Sequence, residues 1–274
     1  EEFLKAWRAM SVKRRHGLLG QLVELADENV EVDFRAIFIS LMKDEDADIR
    51  ERAITGLWEC ENRSLISALM EAACCDPSEK VRAAAAIALG KFALMAEDGK
   101  LSPADGERIR ETLLGLVKKD SEPVEVRRRA LEAVAPFNTV AVQGYIRWAY
   151  GATDINLRSS ALYAMGRTGD LRWLPQLTME LQGPSPALRY EAASACGDLG
   201  DEAALPGLLQ LLEDDDHQVQ LAAVRALGEI GGLQASRALK RLAHSDEGIL
   251  REAAESALES VEASDDPLAF RYQS

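Results

Sequence analysis

Aromatic residues make up only 5 % of the 274-residue sequence, which holds just four cysteines and three histidines. His16, His217 and His244 stand far apart, and none opens an HExxH motif. Cys60, Cys74, Cys75 and Cys196 form no CxxC pair and no metal-ligand spacing, so neither a zinc centre nor another resident cofactor is expected. In a chain of this length the thiols read as buried and reduced, which points to a cytoplasmic protein. Positive charge is in deficit as well: 32 Lys and Arg face 46 Asp and Glu, a net charge of −14. A general nucleic-acid binder needs a basic face against the phosphates, so that class is disfavoured. No apolar run approaches the roughly 20 residues that cross a bilayer. A P-loop, a Gly-x-Ser-x-Gly elbow and a GxGxxG turn after a strand are missing too, which removes the commonest enzyme signatures.

Apolar residues at 47 % and charged residues at 28 % describe a folded globular chain rather than a disordered one. Its strongest feature is self-similarity. Three phrases, LRSSALYAMGRTG (157–169), LRYEAASACGDLG (188–200) and VQLAAVRALGEIG (219–231), are versions of one another, and four more distant copies begin near residues 49, 81, 126 and 250. A basic slot holds Arg50, Arg82, Arg127, Arg158, Arg189 and Arg251, with Gln220 once in its place, at spacings of 32, 45, 31, 31, 31 and 31 residues.

Three residues after that slot every copy has alanine, from Ala53 through Ala192 to Ala254. Six after it stands alanine again, with Gly56 the one exception. At about 100° per residue these small side chains share a helical stripe, where a partner helix can approach closely. The glycine pairs Gly166/Gly169, Gly197/Gly200 and Gly228/Gly231 are expected to end or loosen that helix. A second amphipathic segment precedes each phrase, with Pro175 and Pro206 in matching places where a first-turn proline is tolerated. Each unit is then two antiparallel helices, too thin to bury its own apolar faces, and stacked neighbours supply the core.

The phrase resembles the second helix of the HEAT repeat, in particular the short bacterial form known from phycobilisome lyases. That resemblance implies an all-α fold, an α-solenoid (a right-handed α-α superhelix) whose second helices line a concave face. It suggests degenerate capping helices in 1–33, seven HEAT-like repeats in 34–262 with an insertion near 94–107, and an irregular C-terminal tail in 263–274. The insertion reads as a solvated loop followed by a helix start, with Ser102 as N-cap and Pro103 in the first turn.

Charged clusters invite functional readings, but plain ones suffice. The acidic run Glu213–Asp216 beside His217 lacks the alternating ligand spacing of a calcium loop and fits helix capping. Lys13, Arg14, Arg15 and His16 read as a solvated helix face. The slot arginines, being regular, suit scaffold bonds to neighbours such as Asp46, Asp154 or Asp216. Binding needs differences between repeats, and those occur one and five residues after the slot. Tyr163, Tyr190 and Leu221 are large for such positions, and Arg167 and Arg225 flank them, the mixture of which interface hot spots are made. Trp58 stands where most copies have glycine and either extends the groove or plugs a gap; Trp148 and Trp173 read as core.

These residues favour a non-catalytic scaffold binding a protein or peptide through its concave face. The resemblance allows an alternative, a phycobilin lyase-like protein or chaperone that handles a tetrapyrrole-bearing protein. It allows, more remotely, DNA handling as in HEAT-like alkylpurine glycosylases. Deoxyhypusine hydroxylase, a HEAT-repeat metal enzyme, uses His-Glu pairs, and no histidine here precedes glutamate.

Overall fold

The computed structural model describes residues 2–28, 32–245 and 247–265. The described residues form α-helices and short 3-10 turns, with no strand among them. Contacts divide the chain after Phe137 into two compact units.

In the first unit, α1 (Glu2–Arg8) and α2 (Val12–Glu28) precede three helix pairs. These are α3 (Arg35–Leu41) with α4 (Ala47–Thr55), α5 (Leu65–Cys75) with α6 (Glu79–Glu97), and α7 (Pro103–Lys118) with α8 (Val124–Val134). Trp7, Leu19, Phe38 and Ile49 build the core at its start. The 14-residue surplus near 94–107 is spent mostly on helix. α6 runs on to Glu97, leaving a connection of only five residues before α7. Ser102 caps α7 through a hydrogen bond accepted from the Asp105 N–H, with Pro103 in the first turn, as the residue types require.

The second unit repeats the motif four times. α9 (Val140–Tyr150) pairs with α10 (Ile155–Arg167), and α11 (Leu174–Glu180) with α12 (Pro186–Leu199). α13 (Leu205–Gln210) pairs with α14 (His217–Ile230), and α15 (Gly232–Leu242) with α16 (Gly248–Asp265). Residues 263–265 of the expected irregular tail are helical, as the end of α16; residues 266–274 lie outside the described residues.

The seam between second helices carries this unit. Ala161, Ala164, Ala192, Ala195, Ala223 and Ala226 are buried on it. A methyl group placed on Gly166, Gly197 or Gly228 would lie 2.8, 2.9 or 2.9 Å from Ala195, Ala226 or Ala257 of the next helix. These three glycines do not end their helices, contrary to the sequence reading. They lie within them, and their missing side chains let the next helix in. Their partners three residues on do end or follow helices, as Gly200 shows with φ +67° in the left-handed region. α10, α12, α14 and α16 therefore touch in succession, while the first helices meet each other less. Closer spacing in one layer curves the stack towards that layer.

The arginine ladder is real, but its partners differ from those expected. Arg50 grips Asp76 with two bonds of 2.8 Å, and Arg189 grips Asp214 at 2.7 and 2.8 Å. Arg82 pairs with Glu122 and Arg158 with Glu180. Asp76 and Glu180 sit at the C-terminal ends of α5 and α11, where the helix dipole disfavours an anion, and Glu122 and Asp214 lie in the turns that lead into α8 and α14. The arginine neutralises that charge and ties one pair to the next. Asp46, Asp154 and Asp216 instead accept two backbone N–H groups each at the starts of α4, α10 and α14. They are N-caps, each accepting both N–H groups on its Oδ1.

Candidate functional site

Positions one, five and nine after the basic slot follow one another along one face of each second helix. Across α10, α12, α14 and α16 they make a grid. Its first line is Ser159, Tyr190, Leu221 and Glu252; its second is Tyr163, Ser194, Arg225 and Ser256; its third is Arg167, Asp198, Glu229 and Ser260. Tyr163 is 40 % exposed. Tyr190, Leu221 and Arg167 are half-buried, and Arg225 is exposed. Tyr190 also walls a shallow hollow with Pro186, Ala187, Gln218, Val219 and Asp216, between the starts of α12 and α14.

The third line contains what the sequence reading missed. Asp198 and Glu229 are exposed residues whose carboxylates lie against the glycine seam. A methyl on Gly166 would meet Asp198 Oδ2 at 3.0 Å, and one on Gly197 would collide with Glu229 Oε2. Crowding at the seam raises the Asp198 carboxyl above its ordinary range, partly offset by the charge of Arg167. Glu229 is raised by the same desolvation and by Asp198 itself, partly offset by Arg225. The signal was available: the ninth position changes from Arg167 to Asp198 to Glu229 in otherwise regular repeats.

Trp58 is brought to no such grid. It belongs to the first unit, just beyond α4, and is 62 % exposed. Its backbone oxygen accepts a hydrogen bond from Lys91 Nζ at 3.0 Å, and Ile87 and Leu94 are exposed on α6 near that lysine in sequence.

A profile of HEAT repeats matches residues 22–104 and 174–259. The chain belongs to the HEAT-repeat family. No curated protein sequence matches it. Among solved structures it is similar to the CpcE–CpcF complex of phycocyanin lyase from Nostoc sp. PCC7120, at 19 % identity and a TM-score of 0.61. That likeness covers 86 % of this chain and 91 % of the other. YibA of Escherichia coli shares 16 % identity at a TM-score of 0.51, covering 92 % and 98 %. Yeast importin-β (Kap95p) shares 13 % at 0.55, covering 96 % of this chain and 40 % of the importin. These structures agree on the all-α solenoid fold.

Other clusters in this HEAT-repeat protein serve its frame. In the acidic run, Asp214 binds Arg189 and Asp216 caps α14, and beside it His217 Nδ1 lies 2.9 Å from Gln220 Oε1. Arg15 corrects the solvated-face reading of the basic cluster: it is buried and holds Asp44, which also accepts from Trp7 Nε1 at 2.7 Å. Lys13 and Arg14 are exposed as expected. Ligand atoms of His16, Asp46 and Asp48 come within 4.8 Å of one another, yet Asp46 is engaged as a cap and Asp48 pairs with Lys80.

Two readings of apolar residues also change. Trp173 is core at 4 % exposure, but Trp148 is 42 % exposed, off the face of α9 that buries Val142, Ile146 and Ala149, and meets Tyr145 of its own helix edge-on. Cys60 and Cys196 are buried as expected, whereas Cys74 and Cys75, at the end of α5, are exposed. Burial pushes the Cys196 thiol up to about 12.

Proposed function

We propose that this HEAT-repeat protein is a non-catalytic scaffold that holds an extended segment of a protein partner across α10, α12 and α14. One observation carries the reading. The repeats are regular wherever they pack and differ where the grid faces outwards, and there they present Tyr163, Tyr190 and Leu221. Aromatic side chains of this kind bury much area at small entropic cost. Arg167 and Arg225 border them, and the hollow beside Tyr190 gives a partner side chain somewhere to sit. Trp58 offers a second, separate contact on the first unit.

The test is Tyr163→Ala with Tyr190→Ala. Immobilised wild type is expected to retain a partner from the source cell that the double variant loses, at an unchanged thermal midpoint. Equal retention by both proteins would contradict the groove. The likeness to the phycocyanin lyase complex favours a second reading, in which Tyr163 and Arg167 wall and anchor a bilin. Incubation with free bilins separates the two: a change in bilin absorbance that the double variant abolishes would favour it, and a flat spectrum would remove it.

A further inference from the structure

Cys74 and Cys75 are consecutive residues in the last turn of α5, and both are exposed. The next residue, Asp76, ends the helix and serves as a joint of the first unit. Its carboxylate accepts the two bonds from Arg50 and a third from the Ser78 N–H at 2.8 Å, beside the start of α6. Its main-chain oxygen accepts from Arg82 Nη1 at 2.8 Å. Arg82 in turn holds Glu122, whose charge, with that of Lys119, acts on the Cys74 thiol. The two thiols thus border two successive arginine clasps.

In a helix, consecutive side chains diverge by about 100°. Their Cα atoms stand about 3.8 Å apart, closer than the roughly 5.5 Å that a relaxed disulfide spans. The pair therefore stays as free thiols while α5 is intact, and joining the sulfurs requires its last turn to change. We infer that Cys74 and Cys75 form a modification site: a low-molecular-weight disulfide such as oxidised glutathione converts them to a vicinal disulfide, and ring closure loosens the Arg50–Asp76 clasp. One thiolate attacks a sulfur of the oxidant and releases a first glutathione. The neighbouring thiolate attacks the mixed disulfide so formed and releases the second. The oxidant's S–S bond breaks, an S–S bond joins the two cysteines, and the two thiol protons end on two glutathione thiols. Adjacency makes the second step intramolecular and so favours ring closure over capture by another molecule. The backbone carries the distortion one residue on, to Asp76, and the paired geometry that Arg50 needs is lost. Strain in the closed ring makes it easy to reduce, so surplus thiol reverses the change, as in regulatory rather than structural disulfides.

The native protein, incubated with oxidised glutathione, quenched with acid and read by peptide mass spectrometry, provides the test. The wild-type peptide carrying Cys74 and Cys75 should lose two hydrogens and keep no glutathione. Cys74→Ser and Cys75→Ser should each hold one glutathione instead. Oxidation should lower the thermal midpoint of wild type by about 5 °C, and dithiothreitol should restore both peptide and midpoint. Arg50→Lys, which keeps the charge without the two-pronged grip, should show a smaller fall. A wild-type peptide that stays reduced, retains glutathione or becomes joined to a second molecule overturns the inference. Ring closure that leaves the midpoint unchanged, or lowers it equally in Arg50→Lys, overturns it as well, since the clasp is then untouched.

Discussion

At the residue scale, the slot arginines differ from ordinary surface charges because both partners are largely shielded. The Arg189 and Asp214 side chains keep 15 % and 7 % of their exposure. Removing one member leaves the other's charge stranded, so Arg189→Ala should cost about 3 kcal/mol in denaturant unfolding. The pH dependence has a definite sign. Arg189 holds the Asp214 carboxyl below its ordinary range, so the pair's stabilisation is present at neutral pH and disappears as pH falls through the folded-state value. Arg189→Ala should therefore lose less stability than wild type on acidification. Thiol chemistry offers an independent check of side-chain placement. Brief alkylation with iodoacetamide, read by peptide mass spectrometry, should label Cys74 and Cys75 and spare Cys60 and Cys196.

Helices show how far local chemistry can be read ahead. The repeated phrase, its spacing and the small-residue stripe were legible because they recur in register, and Ser102 and Pro103 marked the start of α7 by residue type alone. Glycine was ambiguous. Gly197 and Gly200 look alike in a string, but one is buried where a helix passes close by, and the other takes the left-handed conformation at a helix end. Acids were ambiguous for the same reason: Asp214 and Asp216 are two residues apart, and only geometry shows that one binds Arg189 while the other caps α14. The change at the ninth position singles out Asp198 and Glu229 in the sequence, but only the packing shows that their carboxylates lie against the glycine seam. Trp148 was misplaced because residue type alone does not say which face of a first helix packs, and α9 packs through Val142, Ile146 and Ala149. The cap assignment can be measured directly. Asp216→Ala should destabilise by about 1 kcal/mol, and Asp216→Asn, which keeps an accepting oxygen, by less.

For the whole molecule, the account rests on helix pairs that are stable because the next pair lies against them. In such an array, stability is a sum of local and nearest-neighbour terms, so damage to one seam should stay near that seam. Gly197→Ala is the sharpest probe, since its added methyl would strike Ala226 and the Glu229 carboxylate at a cost of about 1–3 kcal/mol. Native-state hydrogen exchange, followed by mass spectrometry on that variant, reads the consequence helix by helix. Amides of α12 and α14 should lose protection, while those of α4 and α6 keep theirs. An equal loss in every helix, or no loss in α14, would contradict it.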